Sequence, residues 1–304
     1  MKKLHTPLFA LTLAGALLAG CSSSGSSASL SAASSGTAAA GSSSAAKADT
    51  DGQSSTIKLG VTGAIYEDIW APAKEKLKDE NIDLELVQFS DFATPNNALN
   101  SGDIDLNAFQ HEIYLNTEKE SQGYKIEPIG YTFIIPLNVY SQKYKSLDEL
   151  PDGATVAIPD DLTNGGRALK VLEEAGRIKL ADDADFSPTV KDITENPKNL
   201  TIKELKANTL PSALPDVDAA LITGNFALDY GLKTEDAIYQ DSALDQKEYW
   251  NLIAARSEDL NDPQKKEVYE KVVEAFQQPE TEEVFNNQYG GYFVAEGWGE
   301  EAGK

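Results

Sequence analysis

The chain of 304 residues has one cysteine, two histidines and only 26 lysines and arginines. Each shortage excludes something. A single cysteine cannot form an intramolecular disulfide, and a free thiol suits an oxidising compartment poorly. Zinc or manganese sites of the kind found in metal-binding lipoproteins need several imidazoles. His5 lies in a hydrophobic leader, so the mature chain keeps only His111 and no metal site is expected. The basic residues face 49 acids, for a net charge of -23. Removing the leader takes away Lys2 and Lys3 and leaves 24 bases against 49 acids, near -25. Nucleic-acid binding needs a basic face that displaces counterions, so it is excluded. A polybasic membrane surface is equally disfavoured. The chain also lacks a Gly-x-Ser-x-Gly elbow, a phosphate-cradling loop ending in Lys-Ser/Thr and a spare thiolate nucleophile. Its acidic pairs are expected to be solvated faces. No cofactor is expected, and the chain reads as a binding protein rather than an enzyme.

What is present begins with an address. Lys2-Lys3 followed by "LFALTLAGALLAG" gives a charged region and a short apolar core, the pattern of a secretory signal over residues 1–20. That core is too short for a comfortable membrane span. It ends in "LAGC", Leu18–Cys21, which resembles a bacterial lipobox, so Cys21 is expected to carry a thioether lipid anchor. Residues 21–56 join this cysteine to a tract made almost wholly of Ser, Ala and Gly, which behaves as a flexible tether. Roughly 35 residues of such chain reach about 30–35 Å from the membrane. The expected location is the extracytoplasmic face of the cell membrane.

From Ile57 onward, strand and helix patterns alternate. "IKLGVT" and the strictly alternating "IDLELVQF" read as strands, and Ile65, Ile69, Ala73 and Leu77 fall at helical spacing between them. A helix starting at Thr94 and closing at Gly102 precedes the strand "DIDLNAF", and "HEIYLNTEKESQG" is a helix ending at Gly123. Strands follow at "PLNVYS", "ATVAIP", "VDAALIT" and "WNLIAAR", with helices at "TNGGRALKVLEEAG", "GNFALDYG", "NDPQKKEVYEKVVEAFQ" and "PETEEVFNNQYGGYF". The expected fold class is α/β with parallel sheets, in two units of about a hundred residues. Residues 57–139 with 247–304 are expected to form lobe I, and 140–246 lobe II. The stretch between Gly176 and Val217 is poorly patterned.

Two places attract attention as binding sites. Thr163 and Asn164 open a helix with Arg167 one turn in, and such an end draws anions through backbone N–H groups and the helix dipole. Arg167 adds a bidentate grip on a carboxylate. Gly165 and Gly166 suggest that something approaches this backbone closely. A plain capped helix with a surface Arg is the ordinary alternative. In "NAFQHEIY", Phe109 and His111 share one side of a strand end and Tyr114 lies one helical turn beyond, so all three can face the mouth of a sheet. Phe92 follows another strand and can join the same rim. A satisfied core histidine among core aromatics accounts for the pattern equally.

Taken together, "LELVQFSDFATPNNALNSGDIDLNAFQHEIYL", "GYTFIIPLNVYSQKYKSLDELPDGATVAIPDDLTNGGRAL", "ENPKNLTIKELKANTLPSAL" and "WNLIAAR" resemble the MetQ/NlpA family of methionine-binding lipoproteins, substrate-binding subunits of bacterial methionine ABC importers. The resemblance runs from about Ile57 to the C-terminus. It implies a two-lobed periplasmic-binding-protein fold of type II kind, with an amino acid clamped between the lobes. It places the ligand side chain among Phe92, Phe109, His111 and Tyr114, where polarizable sulfur beside ring edges is worth roughly 0.3–1.5 kcal/mol. Phe92 stands where the family commonly has tyrosine. The ligand carboxylate goes to Arg167 with Asn164 beside it, and Asn251 of "WNLI" matches a polar contact. At the strand-to-helix turn "LITGNFA" the family commonly has an asparagine where this chain has Thr223, so the amine contact is expected at Thr223, Asn225 or a water. The implied ligand is L-methionine. D-methionine, another small apolar amino acid, a methionyl peptide, or a surface interaction or adhesion role on the same fold remain alternatives. The implied partners are the permease and ATPase of an ABC importer and, through the lipid anchor, the membrane. A monomer is expected.

Overall fold

The computed structural model describes residues 54–300 together with 302 and 303. The expected signal peptide, Cys21 and the tether up to residue 53 lie outside the described residues.

Lobe I opens with β1 (Ser55–Thr62), α1 (Tyr66–Lys78), β2 (Ile82–Phe89), α2 (Pro95–Ser101), β3 (Leu106–His111), α3 (Glu112–Gln122) and β4 (Ile126–Tyr131). β1 starts two residues before the expected Ile57, because Ser55 and Thr56 pair with Ile82 and Asp83. Both α2 and α3 stop at glycines in left-handed conformation, Gly102 at φ 85° and Gly123 at φ 73°. The chain then passes through β5 (Phe133–Ile134) into lobe II. There it forms β6 (Leu137–Tyr140), β7 (Thr155–Pro159), α4 (Leu162–Glu174), β8 (Lys179–Leu180), β9 (Ile193–Glu195) and β10 (Thr201–Leu205). α5 (Leu210–Ala213), β11 (Ala219–Thr223), α6 (Gly224–Asp229) and β12 (Ala237–Tyr239) complete the lobe. A second crossing leads back to β13 (Asn251–Arg256), α7 (Pro263–Phe276), α8 (Pro279–Tyr289) and β14 (Val294–Ala295), which pairs with β5.

The lobe I sheet has the order β2-β1-β3-β13-β4, and the lobe II sheet β10-β7-β11-β6-β12. β2, β1 and β3 are mutually parallel, as are β10, β7 and β11, while β13, β6 and β12 run antiparallel to their neighbours. Because β6 pairs with β11 and β12, the expected lobe boundary at 139/140 falls inside a lobe II strand. The first crossing lies at 132–136.

Each sheet is buried on both faces, as parallel strands require. Successive residues of β13 show this. Ile253 and Ala255 join the core under α1 and α7, whereas Leu252 and Ala254 join the core under α2 and α3. In lobe II, Ala219 and Leu221 of β11 face one core while Ala220 and Ile222 face the other. The poorly patterned stretch supplies the β8–β9 hairpin and the edge strand β10, whose residues are mostly exposed or half-buried.

Candidate functional site

Open α/β sheets bind ligands beyond the carboxyl ends of their parallel strands. Here those ends oppose each other. β1 and β3 end at Thr62 and His111 in lobe I, and β7 and β11 end at Pro159 and Thr223 in lobe II. Between them lies a small cavity of about 30 Å³. Phe92, Phe109, His111, Tyr114, Asn164, Arg167, Thr223, Asn225 and Asn251 all line it, so the structure brings every expected site residue to one place.

The apolar end is built by rings. Phe92, Phe109 and Tyr114 stand with centroids 6.0–6.3 Å apart, and the Tyr114 hydroxyl donates to the Phe92 carbonyl at 2.9 Å. Phe226 of α6 packs on Phe92 from the opposite lobe at 4.8 Å.

His111 has two roles. Its Nδ1 accepts the backbone N–H of Tyr114 at 3.2 Å and so caps α3. That bond leaves the ring proton on Nε2, which lies 3.2 Å from the Asn164 Oδ1 of the other lobe and donates to it. Burial, and next the charge of Arg167, hold its pKa down to about 3 against the hydrogen bond to Asn164. The imidazole is neutral. Among the described residues no three His, Cys, Asp or Glu side chains converge to hold a metal ion.

The polar end centres on Arg167, 3% exposed, whose Nη2 donates to the Ile135 carbonyl at 3.1 Å and to Asp241 at 2.5 Å. Asp241 is itself buried and accepts the backbone N–H groups of Leu137 and Ala243. The guanidinium lies 4.5 Å over the Tyr249 ring. Arg167 is therefore not the isolated cation that its position in the sequence suggests. Its Nε, buried and without a hydrogen-bond partner, is a donor still available.

Two expectations about this helix are corrected. Its N-terminus does not await an anion, because the carboxylate of Asp161 caps it, taking the Asn164 N–H at 2.8 Å and the Asn164 side-chain amide. Gly165 and Gly166 make room for the protein's own chain. A Cβ at Gly165 would meet the Pro159 carbonyl at 2.8 Å, and one at Gly166 the Ser187 Cα at 2.7 Å.

Thr223 lies at the start of α6 with its hydroxyl buried and unpartnered. Asn225 spends its amide N–H on the Thr62 carbonyl across the cleft, at 2.9 Å. Asn251 sits beside His111 in the β13–β3 ladder. Sequence reasoning missed Gln110, which lines the cavity and is tied at 2.7–3.0 Å to the buried amides of Asn96 and Asn107. It also missed Tyr66, Ile135, Phe226, Tyr249 and Asp241. Phe226, one helical turn after Thr223, was open to the same spacing argument as Tyr114. Asp241 gave no signal, being one acid of many in an unpatterned loop.

The NlpA lipoprotein family profile matches residues 57–298. The chain belongs to that family. The D-methionine-binding lipoprotein MetQ of Escherichia coli K12 is 44% identical over 246 residues, covering 80% of this chain and 88% of its own. A nutrient-binding protein from Burkholderia cenocepacia, solved bound to methionine, superposes with a TM-score of 0.72 at 44% identity, covering 79% of this chain and 99% of that one. The substrate-binding protein of a methionine transporter from Streptococcus pneumoniae gives 0.74 at 32%, covering 79% and 95%. As an NlpA lipoprotein this chain has the two-lobed binding-protein fold and is a substrate-binding protein, not an enzyme.

Proposed function

We propose that the cleft holds one free amino acid, L-methionine, and that the protein delivers it to an ABC importer's permease and ATPase. The buried Nε of Arg167, unpartnered at the polar end of a cavity whose other end is aromatic, carries this reading. An α-carboxylate satisfies that donor, and the thioether lies among Phe92, Phe109 and Tyr114. The ligand's ammonium is received by the Thr223 hydroxyl and Asn251, while His111 and Asn164 close the wall. In this reading Cys21 carries the lipid that holds the protein outside the membrane, and the Ser/Ala/Gly tract sets its reach. Relatives of both kinds support the ligand class, since the Burkholderia protein is described with methionine and the Escherichia coli protein is named for the D-enantiomer.

The test is calorimetry of the full chain with L- and D-methionine, together with mass spectrometry of whatever co-purifies. The expected result is tighter binding of the L-form and a loss of at least ~2 kcal/mol in Arg167→Ala, as for a buried carboxylate deprived of its charge partner. Equal affinity in wild type and variant would remove Arg167 from the site.

A further inference from the structure

The cavity-lining groups His111, Asn164, Arg167, Thr223, Asn225 and Asn251 are each no more than 7% exposed. No ligand reaches such walls unless the lobes part first, so binding includes a closing step. Any contact made only when the lobes meet then adds to affinity without touching the ligand.

Asp229 makes such a contact. It is the last residue of α6 in lobe II, and its two carboxylate oxygens each take one backbone N–H at the start of α1 in lobe I. Ala64 donates to Oδ2 at 2.9 Å and Ile65 to Oδ1 at 3.0 Å. α1 is 13 residues long and has no side-chain cap of its own. The N–H groups of its cap residue Ile65 and of Ala64 just before it are served by the opposite lobe, where a carboxylate also complements the positive end of the helix. The approach is close enough to constrain the sequence. Gly63 has φ 118°, and a Cβ there would stand 2.5 Å from the Asp229 Oδ2.

We propose that Asp229 is a latch, a positioning residue that fastens the closed state by capping α1 across the cleft. This deepens the amino-acid reading of the site and rests on it for its main test. Parting the lobes hands the Ala64 and Ile65 amides to water and frees the carboxylate, so the latch acts on ligand escape far more than on capture.

The test uses the full chain and its Asp229→Asn and Asp229→Ala variants, with L- and D-methionine as probes. The dissociation rate is expected to rise about 3- to 10-fold, the effect of one lost helix cap. Association should stay within about twofold and the ligand-free Tm should fall less than the ligand-bound one, because only the closed part of the ligand-free population uses the contact. An unchanged dissociation rate overturns the latch. So does a ligand-free Tm that falls as far as the ligand-bound one, which would mark Asp229 as part of the scaffold. If wild type binds neither enantiomer, the amino-acid reading fails by itself. The latch is then judged by amide exchange at Ala64 and Ile65 in the ligand-free chain, where Asp229→Asn must accelerate exchange and equal exchange overturns the proposal.

Discussion

His111 and Asn164 stand on opposite lobes with Nε2 and Oδ1 3.2 Å apart, and the acceptor role of the other ring nitrogen, Nδ1, needs a neutral imidazole. Both ring nitrogens are committed, Nδ1 as acceptor from the Tyr114 N–H and Nε2 as donor. A proton on Nδ1 would face another proton.

This commitment makes binding sensitive to acid. Above pH 6.5, the ordinary histidine value, open and closed states are both neutral and pH has no purchase. Below it the opened or unfolded chain takes up a proton that the closed site, with its pKa held at about 3, refuses. Closing becomes costlier as pH falls between these limits, by up to about 1.4 kcal/mol per unit. Calorimetry at pH 7.5 and pH 5 should show the affinity weakening at the lower pH. His111→Gln, which cannot titrate, should flatten the slope while lowering the affinity at both.

Arg167 and Asp241 form a buried pair at 2.5 Å, and this couples binding to stability. Arg167→Ala strands a buried carboxylate and should cost about 3–5 kcal/mol of folding stability besides the loss of ligand. Arg167→Ala combined with Asp241→Asn removes the stranded charge, so thermal melts should recover much of the stability while calorimetry still shows weak binding. Full recovery of affinity in the double variant would contradict the role given to Arg167.

The Thr223 hydroxyl is buried with no protein partner, so the folded chain gains nothing from it. Thr223→Val keeps the shape and should leave the ligand-free Tm unchanged or slightly raised. Affinity for methionine should drop about 3- to 10-fold if this oxygen receives the ammonium group. A melt that falls in step with affinity would count against that contact.

The elements were legible where local chemistry decides them. β2 matches the alternating stretch Ile82–Phe89, and the ends of α2 and α3 follow from Gly102 and Gly123. α7 begins at Pro263, inside the expected stretch "NDPQKKEVYEKVVEAFQ", because Asp262 accepts the Gln264 N–H and serves as the cap. β10 went unread since "TIKEL" sits at a sheet edge and has little to bury. The nine residues expected at the site line one cavity, but they were named mainly through likeness to a family. Pattern alone gave Asn164 and Arg167 at a helix start, Phe109, His111 and Tyr114 near a strand end, and Phe92 on the same rim.

By itself the sequence determined the alternation of strands and helices, the acidic charge and the short supply of histidine and cysteine. Periodicity, caps and composition act over a few residues, so they can be read along the chain. Only the tertiary structure decided that Asp161 rather than a ligand caps α4, that Asp241 holds Arg167, and that Asp229 caps a helix in the other lobe. Those pairings join groups up to 165 residues apart. In a chain with 49 acids, which carboxylate meets which donor depends on how two sheets are packed.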